Sequence, residues 1–129
     1  MDPLVEAAIR ALDNACAPYS GFRVGAALED AQGRIWTGCN IENATLGLTL
    51  CAERVALCKA LSEGARRFRR LAVVAASPVL TPPCGACRQL LWEYAGDLEI
   101  VLADGVRATE SLRLRDLLPR AFDASHLRR

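Results

Sequence analysis

Two cysteine-bearing segments constrain this chain more than any other feature. Cys84 and Cys87 form a Cys-x-x-Cys pair directly after Pro83, and Cys51 lies upstream with Glu53 two residues later. The N-terminus carries Asp2 and Glu6 and lacks a basic patch followed by an apolar run, so a secretory leader is not expected. Six cysteines in such a chain point to thiols or metal ligands before disulfides. Each segment sits where a loop gives way to a helical pattern. A helix N-terminus lowers thiol pKa, and the thiolate is the form that binds zinc. Residues three apart in a first helical turn face one point, so Cys84 and Cys87 can grip one ion. Cys51, from the other helix, would complete three protein ligands.

The pattern around these segments predicts alternating elements. Asp2-Pro3 reads as an N-cap with proline at the first helical position. Leu4, Ala8, Ala11, Leu12 and Ala15 follow at helical spacing, with an end expected before Pro18. Val24 to Leu28 and Ile35 to Cys39 read as strands joined by a hairpin loop at Asp30-Ala31-Gln32-Gly33. Asn40 to Thr49 reads as loop. Cys51 to Ser62 reads as a helix stopped by Gly64. The apolar runs Leu71 to Ala76 and Leu98 to Ala103 suit buried strands. Between them a loop over Pro78 to Pro83 leads into a helix from Cys84 to about Tyr94, and Leu114 to Leu118 suits a short helix. The cationic run from Arg66 to Arg70 reads as a solvated turn before a strand. Helix-separated buried strands predict an α/β layered domain around a mixed sheet, with 129 residues fitting one domain, 1–129.

Composition narrows the partners. The core must come from aliphatic residues, because hydrophobic residues make up 52% and aromatics 5%. A net charge of +1 does not suggest a long basic groove for a nucleic acid polymer. No stretch approaches the roughly 18 apolar residues a membrane helix needs. A soluble, cytoplasmic protein acting on a small molecule is the expectation.

Three ligands rather than four is the informative count. Structural zinc sites are closed, whereas catalytic ones keep a position open for water. A divalent ion with three thiolates is net anionic, which works against acidifying that water, so a nearby cation is expected. Arg54 follows Glu53 directly and is the candidate; the plainer reading of it is a surface charge. The cysteines also allow a redox Cys-x-x-Cys, or a closed site with Cys39 or Cys58 as fourth ligand. Cys16, Cys39 and Cys58 otherwise suit small apolar packing roles. The sole histidine, His126, reads as a solvated tail residue.

The segments Cys51-Ala52-Glu53-Arg54 and Pro83 to Gln89 resemble the two zinc motifs of the small homotetrameric cytidine deaminases. The resemblance extends to Ala17 through Ala27, Gly38 through Ala44, and Leu117 through Phe122. It implies a three-layer α/β/α fold and one Zn²⁺ per chain on Cys51, Cys84 and Cys87. It implies Glu53 as general acid/base, Asn40 and Glu42 on the ribose, and Phe22 near the pyrimidine. The Ala52 backbone would face the polar edge of the ring, and Phe122 would reach a neighbouring subunit's site in a homotetramer. Family members often carry an aromatic residue where this chain has Leu46. The activity implied is hydrolytic deamination of cytidine, and of deoxycytidine, to the uridine nucleoside and ammonia in pyrimidine salvage. Read without the resemblance, Phe22 and Phe122 suit core positions, and Asn40 and Glu42 a capped loop. A related cytosine compound as substrate, or a redox or zinc-storage role without hydrolysis, are the competing functions.

Overall fold

The computed structural model describes residues 1–105 and 109–127. Its centre is a five-stranded sheet in the order β2-β1-β3-β4-β5, formed by β1 (Val24–Asp30), β2 (Ile35–Cys39), β3 (Phe68–Ala75), β4 (Glu99–Ala103) and β5 (Thr109–Arg113). β1 runs antiparallel to β2 and β3, β3 and β4 are parallel, and β5 is antiparallel to β4. The helices are α1 (Pro3–Leu12), α2 (Ala52–Ser62), α3 (Gly85–Ala95) and the short α4 (Leu114–Leu117).

The alternation of strand side chains sorts these helices into two layers. Val24, Ala26 and Leu28 of β1, Leu71 and Val73 of β3, and Ile100 and Leu102 of β4 join one core with residues of α2, α3 and α4. The opposite face, carrying Ala27, Ala72, Val74, Val101 and Ala103, packs on Leu4, Val5 and Ala8 of α1. The small residues on that face suit a single covering helix. The architecture is therefore α/β/α around a mixed sheet, as the sequence and its resemblance predict.

Local chemistry explains most boundaries. Asp2 caps α1 by accepting the Leu4 amide at 2.9 Å. Gly64 adopts φ 96° just past α2, a conformation in which a Cβ is strained. Gly38 sits where β2 crosses the start of α2, and a Cβ there would collide with the Ala52 carbonyl. This close approach sets the depth at which α2 begins.

Some expectations are corrected. α1 stops at Leu12, leaving Ala15 outside it, because the next segment is drawn into backbone pairing: Cys16 N donates to Asn40 O at 2.9 Å and Glu42 N to Cys16 O at 2.8 Å. The arginine run is not a solvated turn throughout. β3 starts at Phe68, and Arg70 pairs with Asp2 at 2.5 Å and Glu29 at 3.3 Å. β5 has no counterpart in the sequence pattern, since its Thr109–Arg113 stretch is polar and largely exposed. It exists by pairing with β4 along the sheet edge. Cys16 and Cys58 are exposed rather than packed, and Cys39 is half-buried.

Candidate active site

The start of α2 and the start of α3 meet beside the sheet, and the chemistry-bearing residues cluster there. Cys51 is the N-cap residue of α2 and Cys84 that of α3, with no side-chain cap bond on either thiol. Cys87 lies one turn into α3 and is buried, Cys51 is half-buried, and Cys84 is exposed. The three sulfurs all lie within 4.8 Å of one another, and Cys51 and Cys84 approach to 3.6 Å. This is the only cluster of three or more potential metal-ligating side chains among the described residues. A soft, convergent, all-sulfur donor set at two helix N-termini fits zinc. The candidate fourth ligands, Cys39 and Cys58, are not in the cluster, so it is an open three-donor set.

Electrostatics within the cluster favour a thiolate. Hydrogen bonds from Cys87 foremost and then Cys84, with the charge of Arg54, hold the Cys51 thiol below the ordinary thiol range despite its burial. The same hydrogen bond to Cys51, with burial, pushes the Cys87 thiol up. One proton is thus shed more readily than the rest, and a cation at this point would displace the others.

Glu53, in the first turn of α2, is 4% exposed. Burial foremost, with the neighbouring Cys51 charge, pushes its carboxyl up to about 7, against its own backbone amide and Arg54. A carboxyl in that range can both take and return a proton near neutral pH. Arg54 Nε is buried and has no hydrogen-bond partner among the described residues.

A cavity of about 180 Å³ opens against this cluster. Its wall includes Phe22, Asn40, Ala52 and Glu53 together with Cys51 and Cys84. A cavity of roughly 150 Å³ already admits a six-membered ring. Sequence reasoning did not single out Thr49, Leu50, Thr81 or Pro82, which also line it. Their signal was position alone: the first two precede Cys51, and the second two precede Cys84.

Of the predicted substrate-binding residues, Glu42 and Phe122 lie outside this cavity within one chain, and Cys87 and Arg54 stand behind its wall rather than on it. Glu42 borders a shallower concavity with Tyr19, Ser20, Leu46 and Thr49, and Thr49 belongs to both hollows. Phe122 is 57% exposed, stacks on His126 with ring centroids 5.1 Å apart, and has its carbonyl bound by Gln89 Nε2 at 2.7 Å. Leu46, in a 3₁₀ turn over Leu46–Leu48, is 77% exposed. Asn40 is buried and divides its amide between two backbone groups: Nδ2 donates to Phe22 O at 2.7 Å, and Oδ1 accepts from Val24 N at 2.9 Å.

Among the described residues, no helix is long and apolar enough to cross a membrane. Residues 2–103 match the family described as the cytidine and deoxycytidylate deaminase zinc-binding region. A cytidine deaminase of Halalkalibacterium halodurans is 46% identical over 125 residues, covering 96% of this chain and 95% of that protein. The crystal structure of a cytidine deaminase from Burkholderia pseudomallei superposes with a TM-score of 0.89 at 47% identity, covering 92% of this chain and 96% of that one. The corresponding structure from Mycobacterium tuberculosis gives 0.81 at 46% identity, covering 92% and 94%. The thiol cluster, the buried carboxyl and the ring-sized cavity lie within the matched residues, and the chain belongs to the cytidine and deoxycytidylate deaminase family of zinc-binding proteins.

Proposed function

We propose that this protein hydrolyses cytidine, and deoxycytidine, to the corresponding uridine nucleoside and ammonia. The observation that carries the reading is the buried Glu53 carboxyl beside three convergent thiols, on the wall of one ring-sized cavity. Cys51, Cys84 and Cys87 would hold one zinc ion. When bound there, zinc supplies Lewis-acid polarisation at the reacting centre.

The chain's own residues do the rest. Glu53 takes a proton from the attacking water and delivers it to N3 of the pyrimidine as oxygen adds at C4. It then carries a second proton to the exocyclic nitrogen, which leaves as ammonia. Water and the nucleoside are consumed, and the uridine product and ammonia balance them. Burial of Glu53 makes this possible, because it raises the carboxyl into the range where both directions of transfer are accessible. Phe22 would lie against the ring, and the Ala52 backbone would meet its polar edge. Asn40 and Glu42 would receive the sugar, which extends past Thr49 from the deeper hollow into the shallower one. Arg54 would offset the net negative charge of the three-thiolate centre; its buried Nε, without a partner among the described residues, is a donor that a neighbouring anion would satisfy.

The reading extends to assembly. Phe122, exposed in the single chain, would contribute to a neighbouring subunit's site in a homotetramer, and exposed Leu46 and Leu48 would be covered there. Truncation after Pro119 would then impair assembly and nucleoside binding together. Three free thiols held as metal ligands suit a reducing compartment, consistent with cytoplasmic pyrimidine salvage.

The test is Glu53→Gln, measured on one preparation for zinc content, nucleoside binding and ammonia release. Gln keeps the size but cannot carry the proton. Turnover should fall by at least ~10²–10⁴-fold with zinc and binding retained. Near-normal turnover in a zinc-replete variant would sink the mechanism, and lost zinc would make Glu53 a ligand instead.

A further inference from the structure

A short hydrogen-bond chain joins the shallow concavity to the wall of the deeper cavity. Glu42 Oε1 accepts the amides of Tyr19 at 2.9 Å and Ser20 at 3.1 Å, and Oε2 accepts the Ser20 hydroxyl. The same hydroxyl oxygen accepts the Phe22 amide at 2.9 Å. The Phe22 carbonyl is held from the other side by Asn40 Nδ2 at 2.7 Å. Both backbone polar groups of Phe22 are therefore gripped by side chains. Its ring needs that support, because Phe22 is 40% exposed and belongs to neither core cluster.

We propose that Ser20 is a positioning residue for the substrate: its hydroxyl, donating to Glu42 and accepting from Phe22, sets the ring at the cavity while orienting the carboxylate beside it. The inference rests on the nucleoside reading above, in which Phe22 meets the base and Glu42 the sugar. A serine hydroxyl has a single donor, and here it is committed to Glu42 while the oxygen accepts from Phe22. Each bond polarises the next, so the pair is stronger than its parts. Hydrogen bonds from Ser20 and then Tyr19 hold the Glu42 carboxyl below its usual range, which keeps it an acceptor for this chain. One hydroxyl thus couples the residue at the base to the residue at the sugar. A serine that merely tightened a turn would affect folding and leave substrate affinity alone.

The experiment compares zinc-loaded wild type, Ser20→Ala and Ser20→Thr, with Ser20→Ala repeated in a Phe22→Ala background. Amide exchange at Phe22, followed by NMR, reports positioning without reference to turnover. It should quicken about tenfold in Ser20→Ala and return towards wild type in Ser20→Thr, which restores the hydroxyl. KM for cytidine should rise about tenfold in Ser20→Ala with kcat within about threefold, the pattern of lost binding rather than lost chemistry. In the Phe22→Ala background the same change should raise KM clearly less than in wild type, by about threefold or less, because only the route through Glu42 remains. Unchanged Phe22 exchange in Ser20→Ala overturns the inference. So does an undiminished KM penalty without the ring, or a loss of Tm with KM untouched. Absence of ammonia from cytidine with the wild type would defeat the nucleoside reading instead, and the Phe22 exchange would still decide whether Ser20 positions that residue.

Discussion

The sulfurs of Cys51 and Cys84 lie 3.6 Å apart across 33 residues of chain. Each belongs to the residue that caps its helix, so two positive dipole ends converge on the same few ångströms. That convergence favours thiolates and, through them, a cation. It also places Glu53, in the first turn of α2, beside the same point with almost no access to water.

Cys87 is the buried member of the cluster, at 1% exposure. Cys87→Ala should fall well below one zinc per chain and lose the zinc-dependent rise in Tm. A bound ion stabilises by about 2.7 kcal/mol at a free concentration one hundred times its Kd, and the variant should show little of this. Metal analysis and melting with and without chelator check it. Full occupancy in the variant would remove Cys87 from the ligand set.

Arg88 ties the loop before Cys84 to the C-terminal segment. Its Nε donates to Pro83 O at 2.7 Å and its guanidinium to Leu117 O at 2.8 Å. Arg88→Lys keeps the charge but loses the fork, so one of the two carbonyls is abandoned. The expected cost is about 1–3 kcal/mol, read by denaturant unfolding, with weaker zinc retention because Cys84 follows Pro83 directly. Wild-type stability in Arg88→Lys would show that a single contact suffices.

Asp30 is fully buried at the end of β1 and serves four donors: the amides of Gln32 and Arg34, Arg34 Nε, and Trp36 Nε1. Burial alone would raise its pKa, but the hydrogen bonds, Trp36 first, bring it below the ordinary value. A carboxyl lowered on folding adds stability that is complete above the unfolded pKa, about 3.9. That stability is lost as pH falls through the folded value. Asp30→Asn should melt several degrees lower at neutral pH and show a flatter decline on acidification below about pH 4. Parallel acid limbs for the two proteins would assign the decline to other carboxylates.

Gly38 lets β2 pass against the first turn of α2. Its absent Cβ would meet the Ala52 carbonyl and the Ala56 amide, both backbone and unable to swing away. Gly38→Ala should cost about 1–3 kcal/mol by overpacking. Because the displaced turn carries Glu53 and follows Cys51, zinc content and turnover should fall more than the melting temperature implies. Reduced stability with full activity would show that the shift is absorbed away from the site.

The cluster itself was legible in the linear sequence, because metal ligation and acid–base chemistry use few residue types at short spacings. Cys51, Glu53, Cys84 and Cys87 lie in two segments whose helix starts are local signals, and the continuous apolar runs of β3 and β4 announce buried strands. β5 was not legible, since a polar edge strand is defined by its partner rather than by its own composition. The apolar packing expected of Cys16 and Cys58 also failed, because burial is a property of neighbours and both lie at the surface of this chain.

The sequence by itself determined the three cysteines of the cluster, the carboxyl of Glu53 beside them and the order of the elements other than β5, because each depends on residue identity within one turn of helix or one strand. Tertiary structure alone decided that Glu42 commits its carboxylate to Tyr19 and Ser20, that Asn40 clamps the backbone on both sides of Arg23, and that Arg88 joins Pro83 to Leu117. Those partners are side chains and backbone groups from separate segments, and a hydrogen bond is specified by distance and angle in space, which spacing along the chain does not encode.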